Sequence, residues 1–138
     1  MAFDPERWLD VAEICCSTIP GVSREALLRT ALNRAYYAAL LALKQRIEAV
    51  QGVGAVPAWR THDAIKQAIR MGGDSFEEIR KDLETLRKAR EQADYVLSTE
   101  DLQRDSVHLS VTRSRRLIRN RIKALPEAEF RRLRVPRG

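Results

Sequence analysis

The stretch from Ala35 to Leu43 constrains the fold most, because it is apolar on every side of the helix predicted around it. Ser23 is a typical N-cap, and the predicted helix runs from there to about Val50, before Gly52. A helix that is apolar all round belongs in the centre of a bundle rather than on its surface. A chain of 138 residues is long enough to build one such core.

The rest of the chain also has helical patterns. Four further helices are predicted from caps, apolar spacing and the positions of glycine and proline: about 5–18, 61–71, 75–97 and 98–125. No segment alternates apolar and polar residues for long enough to predict a strand. We expect an all-α fold, an antiparallel up-and-down helical bundle of four main helices plus a short helix, over residues 1–125. Residues 126–138 are expected to form a basic C-terminal tail.

Several classes of protein are excluded by what the sequence lacks. No apolar run approaches the roughly 20 residues of a membrane span, and the acidic N-terminus is unlike a signal peptide, so a cytoplasmic location is expected. Cys15 and Cys16 are adjacent, which favours two buried thiols in a reducing compartment. No metal-ligand cluster, glycine-rich phosphate loop or nucleophile elbow occurs, so we expect no metal and no cofactor.

Positive charge is concentrated at the C-terminal end of the chain. The net charge is +6, yet residues 113–138 contain 10 basic and 2 acidic side chains, whereas residues 1–112 contain 15 basic and 17 acidic ones. Such a segment attracts polyanions through phosphate neutralisation, although a solvated helix face would have the same composition. The candidate nucleic-acid contacts are Arg113, Arg115, Arg116, Arg119, Lys123, Arg131, Arg132 and Arg134.

Asn33 and Arg34 are polar residues just before the most apolar part of the central helix. Arg34 has two interpretations: a structural ion pair, for example with Asp94, or an anion-binding or catalytic arginine. His62 is at a predicted helix start, where an exposed position is the ordinary expectation, and His108 lies one helical turn after Arg104. If the protein is an enzyme, Arg34, His62 and Asn33 are the candidate catalytic residues.

The segment from Leu32 to Leu40 resembles the signature helix of HEPN domains (higher eukaryote and prokaryote nucleotide-binding), with its Arg-x-Tyr-Tyr core. The segment from Leu86 to Tyr95 is similar to the second landmark of that family, which closes in Ala-Asp-Tyr. The resemblance implies a bundle of four or five helices, commonly dimeric, and often part of prokaryotic toxin–antitoxin or antiphage systems. Active members are similar to metal-independent ribonucleases with an Arg-x(4–6)-His motif. That motif does not occur in this chain, and Leu41 stands where the signature histidine would be.

Three functions are therefore expected. The first is a non-catalytic, dimerising interaction or RNA-binding module in a prokaryotic defence or toxin–antitoxin setting, with the basic face of the last helix as its contact surface. The second is a metal-independent ribonuclease with a shifted site, in which Arg34, His62 and Arg90 converge, or in which His108 replaces His62. The third, implied by the resemblance, is a partner or substrate of a nucleotidyltransferase, modified at a tyrosine such as Tyr36, Tyr37 or Tyr95.

Overall fold

The computed structural model describes residues 3–95 and 104–136. Within these ranges there is no strand, which confirms the all-α prediction, and no helix has the length and apolar character that a membrane span requires. The predicted end of one helix near residue 97 and the predicted start of the next at residues 98–99 lie outside the described residues. The helices are α1 (Glu6–Cys15), α2 (Arg24–Gln51), α3 (Thr61–Arg70), α4 (Glu77–Tyr95), α5 (Arg104–Arg116) and α6 (Glu127–Arg131).

Helix α2 lies at the centre of the bundle, as its apolar composition predicts. It packs against α1, α3, α4, α5 and α6, and its buried side chains point to several sides of the helix. Many of these are alanines, such as Ala35 and Ala39, so that neighbouring helices approach its backbone closely. One such contact is polar: the buried hydroxyl of Ser114 in α5 donates a hydrogen bond to the carbonyl oxygen of Ala35 at 2.6 Å. Ser23 caps the helix by accepting a hydrogen bond from the backbone N–H of Ala26.

The side-chain contacts between helices show the up-and-down arrangement. The amide of Gln45, near the end of α2, donates to the carbonyl oxygen of Phe3, just before α1, at 2.6 Å. These two helices therefore run in opposite directions. Arg121, which follows α5, pairs with Asp82 near the start of α4 at 3.0 Å, so α4 and α5 are also antiparallel.

Helix α1 closes one side of the bundle and ends in the two cysteines. Leu9, Ala12 and both thiols, Cys15 and Cys16, are buried, and the thiols are free. Burial is the largest influence on either thiol and raises the pKa of both. They therefore serve as small apolar side chains of the core.

The last long helix changes its geometry partway. After α5 the backbone continues as a π-helix over Leu117–Ile122, in which the N–H of Lys123 bonds to the carbonyl of Ile118 at 3.0 Å. A π-turn holds more residues than an α-turn, and here two consecutive residues, Leu117 and Ile118, are both buried. The sequence predicts a single apolar stripe on this helix. The stripe is present, but the π-turn that widens it was not predicted.

The segment that follows residue 125 packs onto the core. Phe130 in α6 is fully buried, with its ring edge-on to Phe76 at 5.3 Å between centroids. The side-chain amide of Gln51 donates to the carbonyl oxygens of Phe130 and Leu133, at 2.7 and 2.8 Å. These contacts attach the basic C-terminal residues to the end of α2.

We expect Phe130→Ala to lower the free energy of unfolding by about 3–5 kcal/mol, because it leaves a cavity beside Phe76. Arg134→Ala is the matched control, since Arg134 is exposed in the same segment and its loss should change stability by less than about 0.5 kcal/mol. Urea unfolding followed by circular dichroism measures both variants. Equal stability of the two would show that this segment contributes nothing to the fold.

Candidate anion-binding site

Two tyrosines of α2, a histidine of α3 and an arginine of α4 meet on one side of the bundle. The rings of Tyr36 and Tyr37 are edge to face, with centroids 5.2 Å apart, and the ring of His62 lies 5.6 Å from that of Tyr36. The guanidinium of Arg90 stacks over both tyrosines, at 4.9 and 5.4 Å, and its Nη1 donates to the hydroxyl of Tyr37 at 3.2 Å. This stacking places a fixed positive charge beside His62.

The hydroxyl of Tyr36 is hydrogen-bonded to Nδ1 of His62. Burial raises the pKa of Tyr36, so that the phenol keeps its proton, and that proton has no other acceptor among the described residues. Burial is also the largest influence on His62 and lowers its pKa against the opposite effect of Asp63, with smaller lowering effects of Arg90, Lys66 and Arg87. From this environment we assign the acceptor role to Nδ1 of the neutral imidazole, whose own proton is then on Nε2.

A cavity of about 480 Å³ opens beside this pair, between α2, α3 and α4. We call it the cationic cavity, because five cationic side chains and one carboxylate line it together with Tyr36 and His62. The carboxylate, Glu84, is bound to Arg87 at 2.5 Å, which lowers the pKa of Glu84. Positively charged walls concentrate the electric field inside a concave surface, so the cavity attracts anions. The five cations are Lys66, Arg70, Arg80, Arg87 and Lys88.

Two of these five cations already form ion pairs with neighbouring carboxylates. Arg87 bridges Glu84 and Glu91, and Arg80 pairs with Glu77 at 2.7 Å. The other three, Lys66, Arg70 and Lys88, are exposed and form no ion pair within the described part of the chain. They are the side chains that can turn toward an incoming anion.

Of the three arginine and histidine residues expected to converge, the structure brings together His62 and Arg90 but not Arg34. The guanidinium of Arg34 is exposed and lies over the ring of Trp8, 5.4 Å from its centroid. Arg34 forms no ion pair with any described residue, Asp94 included, and it does not line the cationic cavity. Asn33 is half-buried beside it on α2, and His108 is exposed on α5.

Five of the eight basic residues predicted to contact nucleic acid form ion pairs with carboxylates. Arg115 pairs with Glu13 at 2.7 Å and with Asp10 at 3.4 Å. Glu6 accepts from both Arg119 and Lys123, and Glu127 and Glu129 within α6 pair with Arg131 and Arg132. The three that have no carboxylate partner among the described residues are Arg113, Arg116 and Arg134.

No group of three or more histidine, cysteine, aspartate or glutamate side chains in residues 3–95 and 104–136 is placed to hold a metal ion. The side chains that line the cationic cavity supply mainly hydrogen-bond donors and positive charge. Guanidinium, ammonium and an imidazole N–H are all donors to phosphate oxygens.

Comparison with known protein families identifies the family of this chain. The family model described as HEPN domain matches residues 5–125, which include the central helix, the histidine and the arginine helix. The chain belongs to the HEPN domain family. No match is found among curated proteins or among solved structures. The resemblance drawn from the two sequence landmarks is thus confirmed, and both landmarks of this HEPN domain contribute residues to the cluster around Tyr36.

Sequence reasoning missed the cations of the cationic cavity. Lys66 and Arg70 occupy one face of α3, one turn apart, while Arg80, Arg87 and Lys88 come from α4. Neither helix is basic enough in composition to predict an anion site, and α4 also contains acidic residues. The available signal was the family's second landmark, which contains Arg87 and Lys88.

The lowered pKa of His62 predicts a contribution to stability that depends on pH. Below pH 6.5, the ordinary pKa of histidine, His62 is protonated in the unfolded chain but stays neutral in the folded chain until the pH falls further. The unfolded state then binds more protons, so the free energy of unfolding falls as pH drops from about 7 toward 5. We expect His62→Gln to lose less stability over this range than the wild type, as measured by urea unfolding at each pH.

His108→Gln is the matched control for this measurement, because His108 is the other histidine of the chain and is exposed on α5. Its pH profile should follow the wild type. A wild-type slope in His62→Gln, or the flattened slope in His108→Gln, would contradict the assignment of a half-buried neutral imidazole at His62.

Proposed function

We propose that this HEPN domain is a non-catalytic RNA-binding module and that the cationic cavity is its phosphate site. One observation carries the proposal: five cationic side chains and the Tyr36–His62 pair surround a cavity of about 480 Å³ that contains a single, already paired carboxylate. HEPN domains are generally nucleotide-binding or ribonuclease-like modules, which favours a nucleic-acid or nucleotide ligand over other anions.

The free cations favour a flexible phosphate backbone as the ligand. Lys66, Arg70 and Lys88 are exposed on two helices that flank the cavity, so they can reach successive phosphates rather than one. Each contact releases condensed counterions, which supplies much of the affinity for a polyanion. A single strand suits a concave site better than a stiff duplex does, since its backbone can bend into the cavity.

The hydrogen bond between Tyr36 and His62 supports binding rather than cleavage. Metal-independent cleavage of RNA needs a general base that removes the proton of the 2′-hydroxyl group. Here Nδ1 accepts from Tyr36 and Nε2 keeps its proton, so His62 offers a donor to a phosphate oxygen and no unoccupied basic nitrogen. Arg34, the arginine of the signature helix, lies over Trp8 and not at the cavity.

The setting of the module is part of the proposal. We propose that it acts as a homodimer in the cytoplasm, within a prokaryotic defence or toxin–antitoxin system, as the family resemblance implies. The alternative role as partner or substrate of a nucleotidyltransferase would use Tyr37, which is partly exposed, because Tyr36 is almost fully buried. The side chain of Tyr95 lies outside the described residues.

We expect the double variant Lys66→Gln/Arg70→Gln to bind single-stranded RNA more weakly and with a smaller salt dependence. Removing two phosphate contacts should reduce the slope of log K against log salt concentration by about 1.4, at roughly 0.7 for each contact with a single strand. Fluorescence anisotropy with a labelled RNA at several salt concentrations measures this slope.

The matched control removes two arginines from the surface predicted first, as Arg113→Gln/Arg116→Gln. It lowers the net charge by the same amount, so a general electrostatic effect would weaken both variants equally. A larger loss of RNA affinity in the control would show that the RNA site is on the C-terminal face.

The same RNA, incubated with the protein in EDTA and run on a denaturing gel, should stay intact. Cleavage that disappears in Arg34→Ala or His62→Gln would establish the ribonuclease alternative.

A further inference from the structure

A second groove adjoins the cationic cavity and has the opposite character. It has a volume of about 450 Å³, and apolar and aromatic side chains dominate its wall. We call it the aromatic groove: Trp8 from α1, Tyr37 and Leu41 from α2, and Trp59 from the turn before α3. These four residues come from three separate segments, so that no sequence pattern marks the groove.

Trp59 is the most exposed aromatic side chain of the groove, with 72% of its surface accessible. The guanidinium of Arg60 covers one part of its ring, at 5.2 Å from the centroid. Because most of its surface is exposed, Trp59 contributes little to the fold. A large aromatic ring held open at the rim of a groove is the usual geometry of a stacking platform for bases.

The two cavities meet at His62, which lines both. A phosphate held in the cationic cavity by Nε2 of His62 and the neighbouring cations would therefore lie next to the aromatic groove. In a single strand each phosphate is followed by a sugar and an unstacked base that can turn away from the backbone. His62 lies between the phosphate site and the aromatic groove, just as the sugar lies between the phosphate and the base of one nucleotide.

We propose that the aromatic groove binds one unpaired base of the RNA whose phosphate occupies the cationic cavity, with Trp59 as the stacking surface. This inference rests on the proposed function. Two cations, Lys44 and Arg60, and one carboxylate, Asp63, line the groove, and this excess of positive charge suits a polyanionic strand better than a basic peptide. Because stacking uses the π-face that all bases share, the site should hold any base and so select single strands over duplexes.

The test compares a short single-stranded RNA with an abasic strand of the same length, which keeps the sugar–phosphate backbone and lacks the bases. We expect Trp59→Leu to weaken binding of the RNA by between about 5-fold and about 150-fold, the loss of one stacked base, and to leave binding of the abasic strand unchanged. Trp59→Phe keeps an aromatic face and should retain most of the affinity. Folding of both variants should be normal, since Trp59 is largely exposed.

Tryptophan fluorescence adds a readout that affinity alone does not give. The chain contains two tryptophans, so the emission of Trp59 is the part of the wild-type emission that is lost in Trp59→Leu, and RNA should quench that part while the abasic strand does not. Equal binding of RNA by the wild type and Trp59→Leu, with the Lys66→Gln/Arg70→Gln effect intact, would overturn the base site and leave the phosphate site standing. If the cationic-cavity variant has no effect on either strand, the proposed function fails first, and the base site fails with it.

Discussion

The close packing of α2 on all sides is the constraint on which the rest of the structure depends. Its alanines let the neighbouring helices approach its backbone, and Ser114 makes a buried hydrogen bond to the carbonyl of Ala35 at 2.6 Å. A helix fixed in this way holds Tyr36 in one position, with its hydroxyl at His62 and its ring under Arg90. The orientation of the site therefore follows from the core and not from a flexible loop, which is how precise sites are usually supported.

Ion pairs with carboxylates then determine which cations are available to bind an anion. The excess of positive charge in the last 26 residues is large in the sequence, yet in the fold Glu6, Asp10 and Glu13 of α1 lie against it. Exposed ion pairs of this kind contribute only about 0–1 kcal/mol each to stability. Their larger effect is to reduce the excess positive charge of the C-terminal residues, where Arg113, Arg116 and Arg134 remain without a carboxylate partner among the described residues, as Lys66, Arg70 and Lys88 do on α3 and α4.

Local signals in the sequence were sufficient for the architecture. Caps, glycines and apolar spacing predict the central helix, the short helix and the order of the bundle, because these depend on residues a few positions apart. The burial of Phe130 was not predicted, since one aromatic residue among arginines has no periodic pattern and its partner Phe76 is distant in sequence. The meeting of His62 and Arg90 was predicted, but the contact between Tyr36 and His62 was not, because these residues are 26 positions apart. The pairing of Arg119 with Glu6 on the opposite surface was not predicted either, since they are 113 positions apart.

The state of His62 tests the account most directly, and the two histidines of the chain make it observable by NMR. A long-range ¹H–¹⁵N spectrum of the imidazoles reports both the tautomer and any change on addition of a single-stranded RNA. The account predicts that His62 at neutral pH accepts at Nδ1, keeps its proton on Nε2, and shifts when RNA is added, while His108 stays unchanged. A protonated His62, or an RNA-induced shift confined to His108 on α5, would contradict it.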